Sequence, residues 1–220
     1  MNDATTVAER RAELERTIAG VDRRFSHDVR IVAVTKGFGE AAIDAAVDAG
    51  CLVIGENYAQ ELAAKRHVIE RRGPTVEFIG RLQTNKVRLV ADLVDIWASV
   101  DRDGVIDEIA KRAPGARVLI QVDTTGDPVK GGCPPQDAGR LVEGARRAGL
   151  VVDGLMTVGP TGAPAEAARS GFRTVRGLVD DLGLEVCSMG MSGDLVVAVE
   201  EGSTEIRVGT ALFGPRPPRA

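Results

Sequence analysis

Eight short apolar, β-branched runs recur along this chain, each followed by a turn and an Ala/Leu/Arg/Glu segment of helical spacing. The candidate strands are Arg30–Thr35, Leu52–Gly55, Val76–Ile79, Ile96–Val100, Arg117–Val122, Val152–Thr157, Leu184–Ser188 and Glu205–Val208. Strands separated by helices pair in parallel, through right-handed crossovers. A repeat of about 27 residues accommodates one strand, one helix and two loops. Eight such repeats predict a single (β/α)8 TIM barrel, an α/β fold, at the short end of its range of roughly 200 to 400 residues. An open doubly wound sheet is the alternative, since both architectures bury their strands on both faces; the count of eight favours the barrel. Ahead of the repeats, Val7, Leu14, Ile18 and Val21 predict an amphipathic leader helix over about 4–24. No linker or composition shift divides the chain, so residues 1–220 read as one domain, with a Pro-rich tail from Gly214 expected to fray.

Composition narrows the function classes. Apolar residues make up 44% of the chain, yet no stretch is long and apolar enough for a bilayer-spanning helix. The formal charge is 28 − 32 = −4, the basic residues are scattered and aromatics are only 3%, which disfavours nucleic-acid partners. The first residues lack the basic and apolar regions of a secretory signal, so the expected location is the cytoplasm. Cys51, Cys133 and Cys187 are widely spaced and the only histidines are His27 and His67, so neither a disulfide framework nor a metal site is expected. The cysteines read as buried free thiols.

In a barrel the site forms at the C-terminal ends of the strands. Lys36 ends the first run, where partial desolvation would lower its pKa and expose the free amine that attacks carbonyls; a solvated strand-end lysine is the plain alternative. Ser188-Met189-Gly190-Met191-Ser192-Gly193-Asp194 follows the seventh run and Arg207-Val208-Gly209-Thr210 closes the eighth. Glycines that admit backbone N–H groups, hydroxyls from Ser192 and Thr210, and helix N-termini make a phosphate cradle, with ordinary N-capping as the alternative. The Gly/Pro-rich segment from Asp127 to Pro135 reads as a loop of the same face. A lysine beside a phosphate site implies a phosphorylated aldehyde or ketone, either pyridoxal 5′-phosphate or the sugar phosphate of a lysine aldolase. Arg207, costly within an apolar strand unless paired, could reach a pyridine nitrogen.

Six segments carry a more specific likeness: Val32-Ala33-Val34-Thr35-Lys36; Gly55 to Glu61; Phe78-Ile79-Gly80-Arg81-Leu82-Gln83-Thr84-Asn85-Lys86; Gly154-Leu155-Met156-Thr157; Met189 to Asp194; and Gly202 to Thr210. In this order, nearly end to end, they resemble the pyridoxal phosphate homeostasis protein family. The resemblance implies a barrel similar to the N-terminal domain of fold-type III enzymes such as alanine racemase, without their second β domain. It implies that Lys36 carries pyridoxal phosphate as a Schiff base, that Ser192, Gly209 and Thr210 hold the phosphate, that Arg207 faces the pyridine nitrogen and that Asn57 lines the pocket. Departures from the family pattern are Glu77 in place of a frequent His, Asp123 in place of Asn, and Lys130-Gly131-Gly132 in place of Lys-Ser-Gly; all three are expected at the pocket's rim. Glu56, Gln83, Asn85 and Lys86 are equally readable as functional or as caps and solvated faces. Met156, Met189 and Met191 read as packing, and Tyr58 as either stacking near the cofactor or helix packing.

An arginine against the pyridine nitrogen disfavours ring protonation and weakens the ring as an electron sink. A racemase needs a base on each face of the substrate carbon, and only Lys36 is in evidence. The expected function is therefore a non-catalytic protein that stores, delivers or buffers pyridoxal phosphate, with effects on amino-acid balance and at most weak racemase-like activity. Its partners would be apo-enzymes that take the cofactor; the expected state is a monomer, with a dimer as the alternative. A catalytic fold-type III enzyme, an amino-acid racemase or decarboxylase, is the competing reading.

Overall fold

The computed structural model describes residues 3–127 and 129–216. Its strands are β1 (Arg30–Val34), β2 (Val53–Glu56), β3 (Thr75–Phe78), β4 (Ile96–Val100), β5 (Arg117–Gln121), β6 (Val151–Met156), β7 (Val186–Ser188) and β8 (Glu205–Val208). They close in sequence order into a parallel barrel. The pairing of β1 with β8, Arg30 opposite Glu205 and Val32 opposite Arg207, excludes the open sheet. Strand positions follow the sequence expectation to within one or two residues. β7 starts late because the Leu184 N–H closes the preceding helix on the Val179 carbonyl.

The helices between strands are α2 (Glu40–Asp48), α3 (Ala59–Ala64), α4 (Arg66–Arg72), α5 (Thr84–Val90), α6 (Asp103–Arg112), α7 (Ala138–Arg147), α8 (Arg169–Asp181) and α9 (Leu195–Glu200), preceded by α1 (Ala4–Ala19) and followed by α10 (Thr210–Phe213). Asp3 caps α1 by accepting the Thr6 N–H at 2.8 Å. The leader helix ends at Ala19 rather than near residue 24. The Gly20 N–H closes its last turn on Arg16, and the chain then bends to lay Phe25 against Gly202, where a Cβ would lie 2.7 Å from the ring.

Strand alternation separates two environments. Val76 and Phe78 of β3, with Trp97 and Val100 of β4, face the helices and belong to the large outer core. The opposite faces fill the barrel with a much smaller apolar cluster of Ile96, Ala98, Leu119 and Met156. Much of the remaining interior is polar: Glu77, Glu205 and Arg207 are all buried. Cys51, Cys133 and Cys187 are buried free thiols, and burial pushes the last two up to about 12. No helix among the described residues is long and apolar enough to cross a membrane.

Candidate functional site

The mount for Lys36 is a tight turn at the end of β1. The Phe38 N–H returns to the Thr35 carbonyl at 3.1 Å, and Gly37 between them takes a left-handed φ of 74°, which glycine adopts without a Cβ clash. A buried lysine braces this turn from below. Lys65 Nζ donates to the Thr35 carbonyl at 2.9 Å, Glu56 Oε1 at 2.7 Å and Glu61 Oε1 at 2.6 Å, so all three of its protons are used. Glu56 Oε1 also accepts the Thr35 hydroxyl at 2.6 Å, and Glu61 Oε1 accepts the Gly37 N–H at 2.6 Å. Burial raises the Glu56 carboxyl above its ordinary range, against the opposing pull of Lys65 and Thr35. Glu56 is thus structural support for the lysine turn.

Lys36 Nζ, half buried above this brace, donates a long 3.3 Å bond to Asn57 Oδ1. Desolvation lowers its pKa from the ordinary 10.5, and the charges of Arg216 and Arg207 lower it further. The amine is therefore deprotonated more readily than a solvated lysine's.

Opposite it, β7, β8 and their loops supply the other wall. Arg207 is buried, and its terminal nitrogens donate to Ser188 Oγ and the Thr157 carbonyl, each at 2.6 Å. The strand arginine is satisfied by neutral acceptors rather than by an ion pair. Gly190 has a φ of 99° and a Cβ there would lie 2.5 Å from Ala198, so the loop after β7 turns only with glycine. Ser192 Oγ accepts the Ala211 N–H at 3.3 Å, linking this loop to the start of α10. Neither Ser192 nor Thr210 caps its own helix. With only four residues, α10 offers little macrodipole, so an anion here would be held chiefly by hydroxyls and N–H groups. Gly209 packs against β1, and a Cβ there would meet the Val34 carbonyl at 3.2 Å.

These groups enclose a cavity of about 390 Å³ at the C-terminal mouth of the barrel. Lys36, Asn57, Ser192, Arg207, Gly209 and Thr210, the six residues singled out from sequence, all line it. So do Lys130, expected at the rim, and Arg81, Gln121 and Arg216, which sequence reasoning did not place there. Gln121 is at a strand end and Arg81 just beyond one, the same positional signal that selected Lys36. Lys130, in the loop after β5, donates to the Gly159 carbonyl at 2.7 Å. Among the described lining residues, five are cations and none is a carboxylate, so the cavity selects for anions.

Other expectations are corrected. Glu77 is not at the rim; it is fully buried inside the barrel below the cavity. Tyr58 is 45% exposed and faces a separate groove with Gln83 and Lys86, not the cavity. Met191 lines the cavity, whereas Met156 and Met189 are packed. Asp123 shapes its own loop by accepting the Thr125 and Gly126 N–H groups. The tail was expected to fray from Gly214, yet Arg216 lies against the cavity; residues 217–220 and Pro128 of the Asp127–Pro135 loop lie outside the described residues.

Comparison with known proteins was consistent across sequence and structure. The alanine racemase N-terminal domain family matches residues 10–217. A pyridoxal phosphate homeostasis protein of Pseudomonas aeruginosa is 35% identical, over 96% of each chain. One from Aquifex aeolicus is 38% identical, over 92% of this chain and 95% of that one. PipY of Synechococcus elongatus, solved with PLP bound, superposes with a TM-score of 0.82 at 31% identity, over 94% of this chain and 100% of that one.

Proposed function

The chain belongs to the alanine racemase N-terminal domain family, alongside the pyridoxal phosphate homeostasis proteins, and on that premise we propose that it binds pyridoxal phosphate at the barrel mouth and serves intracellular homeostasis of that cofactor. The observation that carries this reading is the meeting, in one cavity without carboxylates, of a desolvated lysine amine, a glycine and hydroxyl cradle and a buried guanidinium. The residues present fit the group. The cavity volume is that of a small-molecule site, and a Cβ at Gly209 would press on the Val34 carbonyl at 3.2 Å, so glycine keeps this wall open without strain.

When bound, pyridoxal phosphate supplies an aldehyde to a lysine amine and a ring able to draw electrons from an attached amino acid. Lys36, the desolvated amine of the cavity, would be the residue that takes that aldehyde. Ser192, Gly209 and Thr210 would take the phosphate, Asn57 orients the lysine, and Arg207, fixed by Ser188 and the Thr157 carbonyl, would lie on the side of the ring nitrogen as a guanidinium. That charge opposes protonation of the ring, the state that carbanion chemistry needs. Tyr58, His27 and His67 all lie outside the cavity, and Lys130 is tied to the Gly159 carbonyl, so among the described residues no second base is poised opposite Lys36. The protein therefore acts as a non-catalytic carrier that stores, delivers or buffers the cofactor for apo-enzymes.

The test is reconstitution with pyridoxal phosphate, absorbance before and after borohydride, and mass mapping across the chain's five lysines. The expected result is a visible band that reduction removes, with the added mass on Lys36; no band after reconstitution sinks the proposal. Sustained turnover of an amino acid would instead support the racemase or decarboxylase reading. Ser192→Ala should weaken equilibrium binding about tenfold, the loss of one hydrogen bond to an anion, ~1.4 kcal/mol.

A further inference from the structure

The barrel interior below the cavity holds two carboxyl groups that the binding site does not use. Glu77 on β3 and Glu205 on β8 are each 0% exposed. Glu205 Oε2 takes Arg30 from the bottom of the barrel, its Nε at 2.7 Å and also its Nη2. Among the described residues, no donor reaches Glu205 Oε1 or either oxygen of Glu77. Arg207, next along the interior face of β8, commits its terminal nitrogens to Ser188 and Thr157 and hydrogen-bonds to neither carboxylate. An ionised Glu77 would thus be a buried charge with no hydrogen bond, among the most costly arrangements a core can hold. A single proton removes the difficulty, because a carboxylic acid at Glu77 donates to the facing oxygen of Glu205, which is within reach.

We propose that Glu77 is a positioning residue that carries a proton at neutral pH and donates a hydrogen bond to ionised Glu205, so that its own charge does not offset that of Arg207 at the cavity. The groups facing Glu77 are Glu205 and Arg207 on β8 and Arg30 on β1, with Asp153 of β6 close to Arg30. Burial first, and then the Glu205 charge, push the Glu77 carboxyl well above the ordinary range, while the two arginines oppose that shift less strongly. The interior then carries Arg30 and Glu205 as a neutral pair and Glu77 as a neutral acid, which leaves Asp194, beyond β7, as the other carboxylate whose charge acts on Arg207. Arg207 in turn lowers the Lys36 pKa. The proton on Glu77 therefore favours both anion capture and a free amine at the cavity. That consequence rests on the cofactor reading above; the protonation itself does not.

The test uses the full chain without cofactor. Infrared spectra near neutral pH should show the C=O stretch of a protonated carboxyl that shifts with 13C-glutamate labelling and is absent from Glu77→Gln. In thermal melts, Glu77→Gln should match the wild type near about pH 5 and exceed it by roughly 3 °C or more near about pH 8. The sign follows from linkage: a carboxyl raised in the folded state loses its contribution as pH rises from the ordinary glutamate range toward the folded value, and the amide has no such loss. No labelled carboxylic acid band in the wild type overturns the proposal. So does a Glu77→Gln variant destabilised at neutral pH whose deficit vanishes in acid, the signature of an ionised Glu77 paired with Arg207. If the variant does not fold, Glu56→Gln decides, because the Glu56 carboxyl is also raised by burial: a labelled band that persists in it leaves Glu77 as the source, and a band that vanishes overturns the proposal.

Discussion

Lys36→Ala abolishes the visible band of the reconstituted protein and weakens retention of pyridoxal phosphate at least about a hundredfold, ~2.8 kcal/mol. The phosphate cradle and Arg207 remain in this variant, so residual non-covalent binding is expected; what disappears is the bond from Nζ. Lys36→Arg separates charge from chemistry. It keeps the cation in the cavity, but a guanidinium stays protonated and has no free amine to offer, so it should lose the band as completely as alanine. Attachment to the wild type should speed up as pH rises through the Lys36 pKa, with a midpoint below 10.5 because burial, Arg216 and Arg207 all disfavour the ammonium. Equilibrium dialysis with absorbance stopped-flow reads both quantities. A band that survives in Lys36→Ala would move the attachment to Lys130, another lysine lining the cavity.

Lys36 was legible in the sequence because position alone marks it: it follows the last apolar residue of β1, and barrels present their strand ends to ligand. The eight-strand order was legible for a related reason, since β-branched runs spaced by helical segments leave few alternatives. What the pattern could not reveal was closure, which depends on the β1–β8 register of Arg30 with Glu205. Nor could it separate the inside of the barrel from the outside. Glu77 alternates with Val76 and Phe78, which face the helices, so its side chain points into the barrel; as a departure from the family pattern it was expected at the rim. Arg216 had no local signal at all, because its place at the cavity depends on how α10 ends. Lys65 was hidden by its helix: a lysine after Ala59–Ala64 reads as a solvated face until the tertiary structure turns it under β1.

That concealed lysine carries the largest stability effect expected here. Lys65→Met should lower the melting temperature on the order of 10 °C, from a loss of about 3–5 kcal/mol when one member of a buried ion pair is removed. Methionine fills the space but leaves Glu56 fully buried with the Thr35 hydroxyl as its one recorded donor, and Glu56 Oε2 has no partner to begin with. Without Lys65 the Glu56 carboxyl, already raised by burial, rises further. A group raised in the folded state contributes its stability below its unfolded pKa and loses it as pH rises, so the deficit should be greatest at neutral and alkaline pH and shrink in acid. Glu56→Gln in the same chain should recover part of the loss, because an amide carries no charge to strand. The site should respond as well. Lys65 holds Glu61, and Glu61 holds the Gly37 N–H, so the turn that aims Lys36 loses its brace. Cofactor affinity should then fall even at temperatures where the variant is fully folded. Melts from acid to alkaline pH on the single and double variants, with binding measured well below the transition, separate the two effects. A single variant as stable as the wild type at neutral pH would mean that Lys65 and Glu56 are worth no more together than an apolar contact, and that the Lys36 turn is held by its backbone alone.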